Sequence, residues 1–393
     1  MNSDPVVILA ARRTPVGAFQ GAFATVTAPQ LGSVAIKAAV ADSGVLPSEI
    51  DEVIMGCVLS AGLGQAPARQ AALGAGIPTS VPNTTVNKMC GSAMRAVMLA
   101  CDQILAGSAK IAVAGGLESM TNAPYLLPKA RAGYRMGNQE VLDHMFFDGL
   151  QSPWDGQLMG CFAESTSEKY SFTRKAQDDF AAESVRRALA AVNKGDFAAE
   201  IAPVTTKTRK GEVVVDKDET PFTLDIAKIP TLKPAFKKDG TVTAASSSGI
   251  SDGAAALVLA RESAAASQGR KPLARILGYA SFAREPEWFT LAPVGAIQKL
   301  LRQLNWQPND VDLYEINEAF AAVPMAAIKD LGLDHQRVNV NGGACALGHP
   351  IGATGARIMT TLLYALRARG AKRGIASLCI GGGEATAIAI ELI

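Results

Sequence analysis

Three reactive side chains in this chain of 393 residues lie within two residues of a glycine. Cys90 precedes a glycine, His349 lies between a glycine and a proline, and Cys379 stands just before the glycine triplet 381–383. Glycine lets a backbone approach a ligand closely, so these positions can bring reactive atoms against a substrate. A thiolate is a good nucleophile, and an imidazole can remove the proton that generates it. We therefore predict nucleophilic catalysis by a cysteine.

The sequence around Cys90 predicts a strand, a tight loop and then a helix. Residues 84–87 are rich in β-forming side chains, and residues 93–105 have helical spacing. The unpaired N–H groups and the positive dipole at a helix start favour the charged form of a nearby thiol. We therefore expect Cys90 to ionise more readily than a free cysteine. Cys57 and Cys101 lie in apolar patterns typical of cysteines that only pack.

The stretch 341–357 contains His349 and five glycines, and it leads into a pattern that is apolar on one face. That pattern predicts a helix over 353–366. A bland loop histidine would have polar neighbours, whereas this one is enclosed by glycines and small apolar residues. We therefore predict a catalytic role for its imidazole.

The composition narrows the class of protein. Hydrophobic residues make up 48% and charged residues 19% of the chain, which is enough for a large core. The net charge of +2 gives no field suited to nucleic acid, and no long uncharged apolar run predicts a membrane span. The six cysteines form no Cys-x-x-Cys pair, which argues against a zinc site and a disulfide framework. Since the first residues lack a secretory signal pattern, we expect a reducing, cytoplasmic location.

A pattern of strands and helices occurs twice along the chain. Segment 47–51 matches 308–312 at an offset of 261 residues, and 115–118 matches 381–384 at an offset of 266. Matches at nearly one offset indicate an internal duplication, and the alternation of elements favours a layered α/β fold. The two halves would aim the helices after the first cysteine and after the histidine toward one cleft.

Four motifs, in order, resemble those of the thiolases. They are Asn87-x-x-Cys90-Gly91-Ser92, Asn317-Glu318-Ala319-Phe320, Gly348-His349-Pro350-Ile351-Gly352-Ala353 and Cys379-Ile380-Gly381-Gly382-Gly383. The resemblance covers essentially the whole chain, and the chain looks most like the biosynthetic branch that forms acetoacetyl-CoA. It implies an α/β fold with duplicated thiolase-type halves in a five-layer α-β-α-β-α core, together with an inserted loop domain.

The resemblance also implies a division of the chain. Residues 1–121 plus 248–271 would form the N-terminal half, and 272–393 the C-terminal half. Residues 122–247 would form the loop domain, which covers the active site and binds coenzyme A. Acyl-CoA thioesters would be substrates in fatty acid metabolism, with no cofactor and no metal, and the protein would be a homotetramer that binds neither nucleic acid nor membrane.

Catalytic roles follow from the same resemblance. Cys90 would take the acyl group, His349 would deprotonate it, and Cys379 would move the proton of the second substrate. The backbone N–H groups of Cys90 and Gly381 would bind one thioester oxygen. His349 and a water held by Asn317 would bind the other.

The resemblance places the substrate contacts less firmly. The expected residues near the pantetheine arm and the acyl pocket are Ser248, Phe236, Phe320, Ala319, Leu150 and Met159. The methionine would narrow the pocket and favour short acyl chains.

The chain departs from the family pattern at four places. Leu158 stands where many short-chain members carry histidine, and Ser246 stands in place of a usual asparagine. The pairs Lys88-Met89 and Glu384-Ala385 are also unusual. These changes leave the acyl chain length and the preference for α-methyl substrates open.

Three alternatives remain from the sequence. A thiolase that cleaves 3-ketoacyl-CoA of broader chain length uses the same groups. A β-ketoacyl-carrier-protein synthase shares the nucleophile, but it would use a second histidine, and His144 and His335 lie in contexts that indicate surface or loop. A thiolase-like protein that binds acyl-CoA or lipid without turnover is the third, and the intact reactive residues count against it.

Overall fold

The structure is a computed structural model that describes residues 4–209 and 211–393. Its strands are β1 (Val6–Arg13), β2 (Gly17–Ala18), β3 (Glu52–Gly56), β4 (Asn83–Val86), β5 (Ile111–Ser119), β6 (Tyr125–Leu126), β7 (Leu142–Asp143), β8 (Val204–Thr208), β9 (Gly211–Val215), β10 (Ser251–Arg261), β11 (Ala274–Ala283), β12 (Leu313–Ile316), β13 (Arg373–Ile380) and β14 (Glu384–Leu392). Its helices are α1 (Ala28–Ser43), α2 (Pro67–Gly74), α3 (Ser92–Ala106), α4 (Met159–Tyr170), α5 (Arg174–Lys194), α6 (Glu262–Ser267), α7 (Ala292–Leu304), α8 (Ala322–Leu331), α9 (Ala344–Leu347) and α10 (Thr354–Arg369).

The main sheet repeats one arrangement of strands. Strands β3-β5-β10-β1 lie side by side in the first half, and β12-β13-β14-β11 lie in the same order in the second. In each set the first two strands are parallel and the others are antiparallel. A short antiparallel pairing of β1 with β11, from Val6↔Ile276 to Ile8↔Ala274, joins the two sets. This repeat confirms the predicted duplication.

The helices form three layers around the two sets of strands. Helices α3 and α10 lie in the middle, where their side chains share one core with strands of both halves. Helices α1 and α2 cover the outer face of the first set, and α7 and α8 cover the outer face of the second. Most residues of α10 are buried, as expected for a helix in the middle layer. The α-β-α-β-α order is therefore as expected.

Helices α3 and α10 approach each other closely near their first turns. A Cβ atom at Gly355 would lie 2.4 Å from the backbone nitrogen of Met94, so only glycine fits there. A Cβ atom at Gly116 of β5 would lie 2.1 Å from the carbonyl oxygen of Gly352 and 2.7 Å from the Cβ of Ala93. These glycines let the loops that precede the two helices converge.

The segment between β5 and β10 contains α4, α5 and two short hairpins, β6–β7 and β8–β9. Residues 145–150 form a π-helix. The bond from His144 to Asp148, 2.6 Å long and four residues along the chain, stabilises this turn. The boundaries of the loop domain at residues 122 and 247 stay a prediction.

An ion cluster ties this segment to the core. Arg13 is fully buried at the end of β1 and binds Glu200 at 2.6 Å and Asp218 at 2.6 and 2.8 Å. Both carboxylates are also buried. No helix within residues 4–209 and 211–393 is long and apolar enough to cross a membrane.

Candidate active site

Cys90 lies in the loop between β4 and α3, and the loop fixes its own shape. Met89 has a φ of 46°, and the Lys88 N–H donates to Ser92 Oγ at 2.8 Å. A Cβ atom at residue 91 would lie 2.4 Å from the Cδ1 atom of Ile380, at the end of β13, so the two segments are in close contact there. The loop of the first half therefore touches the turn that follows β13 in the second half.

The pKa of the Cys90 thiol is higher than its position before a helix led us to expect. Burial raises the pKa of its thiol to about 11, although the N–H groups of Gly381 and of Cys90 itself act in the opposite direction. Helix α3 begins two residues later, at Ser92, and desolvation outweighs what its first turn contributes. The prediction of an easily ionised thiol was wrong, and the resting residue is a thiol with two amide donors directed at its sulfur.

Cys379 lies near the end of β13 and is completely buried. Burial raises the pKa of its thiol well above the ordinary value, and a negative charge on Cys90 raises it further. The two sulfurs, far apart in the sequence, are thus close enough to interact. The turn after Cys379 uses positive φ angles at Gly382 (97°) and Gly383 (92°), which favour glycine.

His349 lies in the loop between α9 and α10. Its Nδ1 is 2.6 Å from Thr354 Oγ1, whose hydroxyl donates to the carbonyl of Pro350 at 2.9 Å. Because that hydroxyl proton is used, Nδ1 carries the hydrogen, and Nε2 keeps a free lone pair. Nε2 is buried and has no hydrogen-bond partner within the described ranges. Burial, with a smaller effect of the Arg357 charge, lowers the pKa of His349 to about 3.

Asn317 follows β12 directly and is buried. Its backbone N–H donates to Ser377 at 3.0 Å, and its Oδ1 accepts from Arg357 at 3.5 Å. The amide nitrogen Nδ2 has no partner among the residues that the structure describes. Since Arg357 contacts Asn317 and its charge also acts on His349, these two polar groups belong to one buried neighbourhood.

Backbone hydrogen bonds hold Ser248 close to both Asn317 and His349. Its N–H donates to the carbonyl of Ala319 at 3.0 Å, and the next carbonyl, of Gly249, accepts from the His349 N–H at 3.1 Å. The bridge between Ser247 and Phe320 continues this pairing. Ser248 and Ala319 therefore lie between the asparagine and the histidine.

The predicted apolar contacts surround the cysteines. The rings of Phe236 and Phe320 pack edge to face with centroids 5.8 Å apart, and Met159 belongs to the same cluster as Cys379. A Cβ atom at residue 381 would lie 3.5 Å from the sulfur of Met159. Leu150 packs on a separate cluster that also contacts the first cysteine. All the residues expected from the sequence thus occupy one region, although their roles stay predictions.

Family models match almost the whole chain. The N-terminal thiolase domain matches residues 6–263, and the C-terminal thiolase domain matches residues 270–392. The chain belongs to the thiolase family.

Relatives agree with this assignment across their full lengths. An acetyl-CoA acetyltransferase of Escherichia coli is 51% identical, with 98% of each chain covered. One of Cupriavidus necator is 50% identical, with 98% of this chain and 99% of the relative covered. A crystal structure of the Bacillus anthracis acetyl-CoA acetyltransferase superposes with a TM-score of 0.97, at 44% identity and 99% coverage of both chains. The Acat5 thiolase from Ascaris suum, solved in complex with coenzyme A, gives a TM-score of 0.94 at 44% identity, with 99% of this chain and 100% of the other covered.

Glu118 was missed as part of the framework of this thiolase site. Its buried carboxylate accepts hydrogen bonds from the N–H groups of Val58 (3.0 Å), Leu59 (3.1 Å) and Gly352 (2.9 Å). Burial raises the pKa of Glu118 to about 7, although the three N–H donors act to lower it. The carboxylate ties the end of β3 to the histidine loop. The sequence signal was an acidic residue directly after the apolar run of β5.

The surface assignment of His144 was wrong, whereas His335 is half-buried. His144 is buried, and its Nε2 accepts from the Ala61 N–H at 3.3 Å while Nδ1 contacts Asp148. His335 stacks on Phe180 with ring centroids 4.9 Å apart. The contacts described here join neither histidine to the cysteine pair, so neither takes the place of the second histidine expected in a carrier-protein synthase.

Proposed function

We propose that this thiolase catalyses the reversible Claisen condensation of two acetyl-CoA molecules to acetoacetyl-CoA and CoA. The relatives named acetyl-CoA acetyltransferase, matched over their full lengths, support the substrate class. The observation that carries the mechanism is the pair of amide N–H groups, of Cys90 and Gly381, directed at the sulfur of Cys90 beside a second buried thiol. Two thiols and a donor pair are the groups that acyl transfer between thioesters requires.

Acylation of Cys90 is the first step. The free Nε2 of His349 takes the thiol proton, and the sulfur attacks the thioester carbonyl of acetyl-CoA. Negative charge on the carbonyl oxygen is stabilised by the N–H groups of Cys90 and Gly381, each contributing on the order of 3 kcal/mol. The carbon–sulfur bond to CoA then breaks. Because the pKa of His349 is low, its proton is readily returned to the departing CoA thiolate.

Condensation is the second step, on the acetyl group held by Cys90. Cys379, as thiolate, removes a proton from the methyl group of the second acetyl-CoA. The resulting enolate oxygen is stabilised by His349 and by a water held on Asn317. The enolate carbon attacks the acetyl-enzyme carbonyl, and the bond to the Cys90 sulfur breaks. The proton on Cys379 passes to the departing Cys90 thiolate, which restores the Cys379 thiolate, and acetoacetyl-CoA leaves. Burial disfavours a charge on Cys379, so its thiolate is a strong base for the methyl proton.

Bulky apolar side chains near the proposed acyl site support a short acyl group. Met159 lies against the Gly381 turn, and the edge-to-face pair of Phe236 and Phe320 belongs to the same apolar cluster as Cys379. We propose that Ser248, Ala319 and Leu150 contact the pantetheine arm, and that residues 122–247 cover it.

Assembly and location are part of the same proposal. The β6–β7 region exposes apolar side chains that a homotetramer would cover: Tyr125, Leu127, Met136 and Val141. All six cysteines are free thiols, as is typical of the reducing cytoplasm. A place in fatty acid metabolism follows from the substrate class.

Mass spectrometry of the acylated enzyme tests the proposal. Incubation with acetyl-CoA should add one acetyl group on Cys90, and Cys90→Ala should abolish that adduct. Cys379→Ser should still acylate but condense at least about a hundredfold more slowly, since it loses its acid–base group. Acetoacetyl-CoA should be cleaved faster than a 3-oxohexanoyl thioester. An acetyl adduct on another residue, or wild-type condensation by Cys379→Ser, would refute the assignment.

A further inference from the structure

Backbone hydrogen bonds fix Lys88 in the loop that carries Cys90. The carbonyl of Lys88 accepts from the Gly91 N–H at 3.0 Å, and its N–H is bonded to Ser92 at 2.8 Å. Lys88 and Cys90 also form a β-bridge across Met89. The backbone of Lys88, whose side chain carries the ammonium group, is therefore fixed relative to the sulfur of Cys90.

The turn that carries Gly381 has an equally fixed relation to Glu384. Glu384 is the first residue of β14 and pairs directly with Ile380, the last residue of β13. The carbonyl of Gly383 accepts from the Arg284 N–H at 2.8 Å, which anchors the turn to the end of β11. A displacement of Glu384 would therefore displace the Gly381 amide.

A charged contact joins these two units. Lys88 Nζ lies 2.5 Å from Glu384 Oε2, with side chains 24% and 37% exposed. Behind this ion pair the loops touch at Gly91 and Ile380, without room for a Cβ atom. One half of the duplicated fold supplies the lysine and the other half the glutamate, so the pair spans the junction at which Gly381 meets Cys90.

We propose that Lys88 and Glu384 are positioning residues, which hold the Gly381 N–H on the Cys90 sulfur and on the thioester oxygen that binds there. The inference rests on the proposed thiolase reaction. An amide donor acts on a developing oxyanion only when its distance and angle are kept. The pair joins the two loops at a partly exposed position. Because partly exposed ion pairs contribute little to folding, its loss should be felt in turnover and not in stability.

The test compares Lys88→Met, Glu384→Gln and the exchanged variant Lys88→Glu/Glu384→Lys. Each single change should lower kcat for thiolysis of acetoacetyl-CoA about tenfold, less than complete loss of an oxyanion donor, with KM changed less than about twofold. The exchanged variant should recover most of this loss, because it restores an opposite-charge pair at the same place. Iodoacetamide labelling of Cys90 should shift to higher pH in the single variants, since the thiolate loses a donor.

Asp179→Asn is a matched control, because the ion pair of Asp179 with Lys175 is 2.7 Å long, exposed and on α5. It should leave kcat and labelling unchanged. The proposal is overturned if the single variants keep the wild-type kcat and labelling profile, or if the exchanged variant is as slow as they are. Failure of the wild-type enzyme to form acetyl-Cys90 would instead overturn the proposed function, so the two results are distinguishable.

Discussion

Replacing Arg13 with methionine tests how the segment between β5 and β10 is held to the core. The side chain is fully buried, and it makes three short bonds to Glu200 and Asp218, which are also buried. Methionine would fill much of the volume but leave two carboxylates without a cation. Breaking a buried pair in this way costs about 3–5 kcal/mol.

The remaining contacts do not offset this loss. Glu200 keeps a bond from Thr361 at 3.1 Å, and Asp218 keeps one from the Val16 N–H at 2.8 Å. With an unfolding slope of about 3 kcal/mol per molar urea, the midpoint should fall by about 1–1.7 M. The loss should shrink as the pH is lowered, because protonation removes the buried negative charges that Arg13 no longer balances.

Urea titrations followed by fluorescence and by residual thiolysis measure the effect. Arg12→Met is the matched control. The ion pair between Arg12 and Asp42 is partly exposed, so it should contribute less than about 1 kcal/mol to the free energy of unfolding. The combined variant Arg13→Met/Glu200→Gln/Asp218→Asn should recover much of the stability. A midpoint for Arg13→Met that equals that of Arg12→Met would refute the reasoning.

Two further predictions concern the site and its packing. Iodoacetamide labelling of Cys90 without substrate should rise about tenfold per pH unit between pH 7 and 10, because burial keeps the thiol protonated; a midpoint below pH 8, or an inflection near 6.5 from His349, would contradict this. Gly116→Ala should lose at least about 3 kcal/mol of unfolding free energy or fail to fold, since its Cβ would overlap a backbone oxygen. Gly249→Ala, which meets no atom closer than 3.8 Å, should stay within about 1 kcal/mol in the same denaturation assay.

Local sequence patterns were sufficient to predict most of the fold. The predicted strand at 84–87 is shifted by one residue from β4, and the predicted helix at 93–105 differs from α3 by one residue at each end. The duplication was detectable because both halves keep the same turn residues before equivalent strands. The repeat also indicated that Cys90 and His349 face one cleft, since the helices that follow them are equivalent, whereas the place of Cys379 came from the family resemblance.

The residues that were misjudged depend on partners far away in the chain. Arg13 has no local sequence signal for its role, because its carboxylate partners are 187 and 205 residues distant. His144 seemed to be a loop residue until its contacts with Ala61 and Asp148 were known. The high pKa of Cys90 is likewise a property of the assembled interior, because desolvation depends on everything packed around the sulfur.

The close crossing of α3 and α10 has a consequence for what each half of the chain can do separately. In the proposed mechanism, one repeat contributes the nucleophile, and the other contributes the imidazole, the asparagine and the second thiol. Cut at the junction between β10 and β11, the polypeptide would yield two fragments that are each chemically incomplete. Catalytic competence therefore arises only when the two repeats dock face to face, as in an obligate dimer whose subunits have been fused.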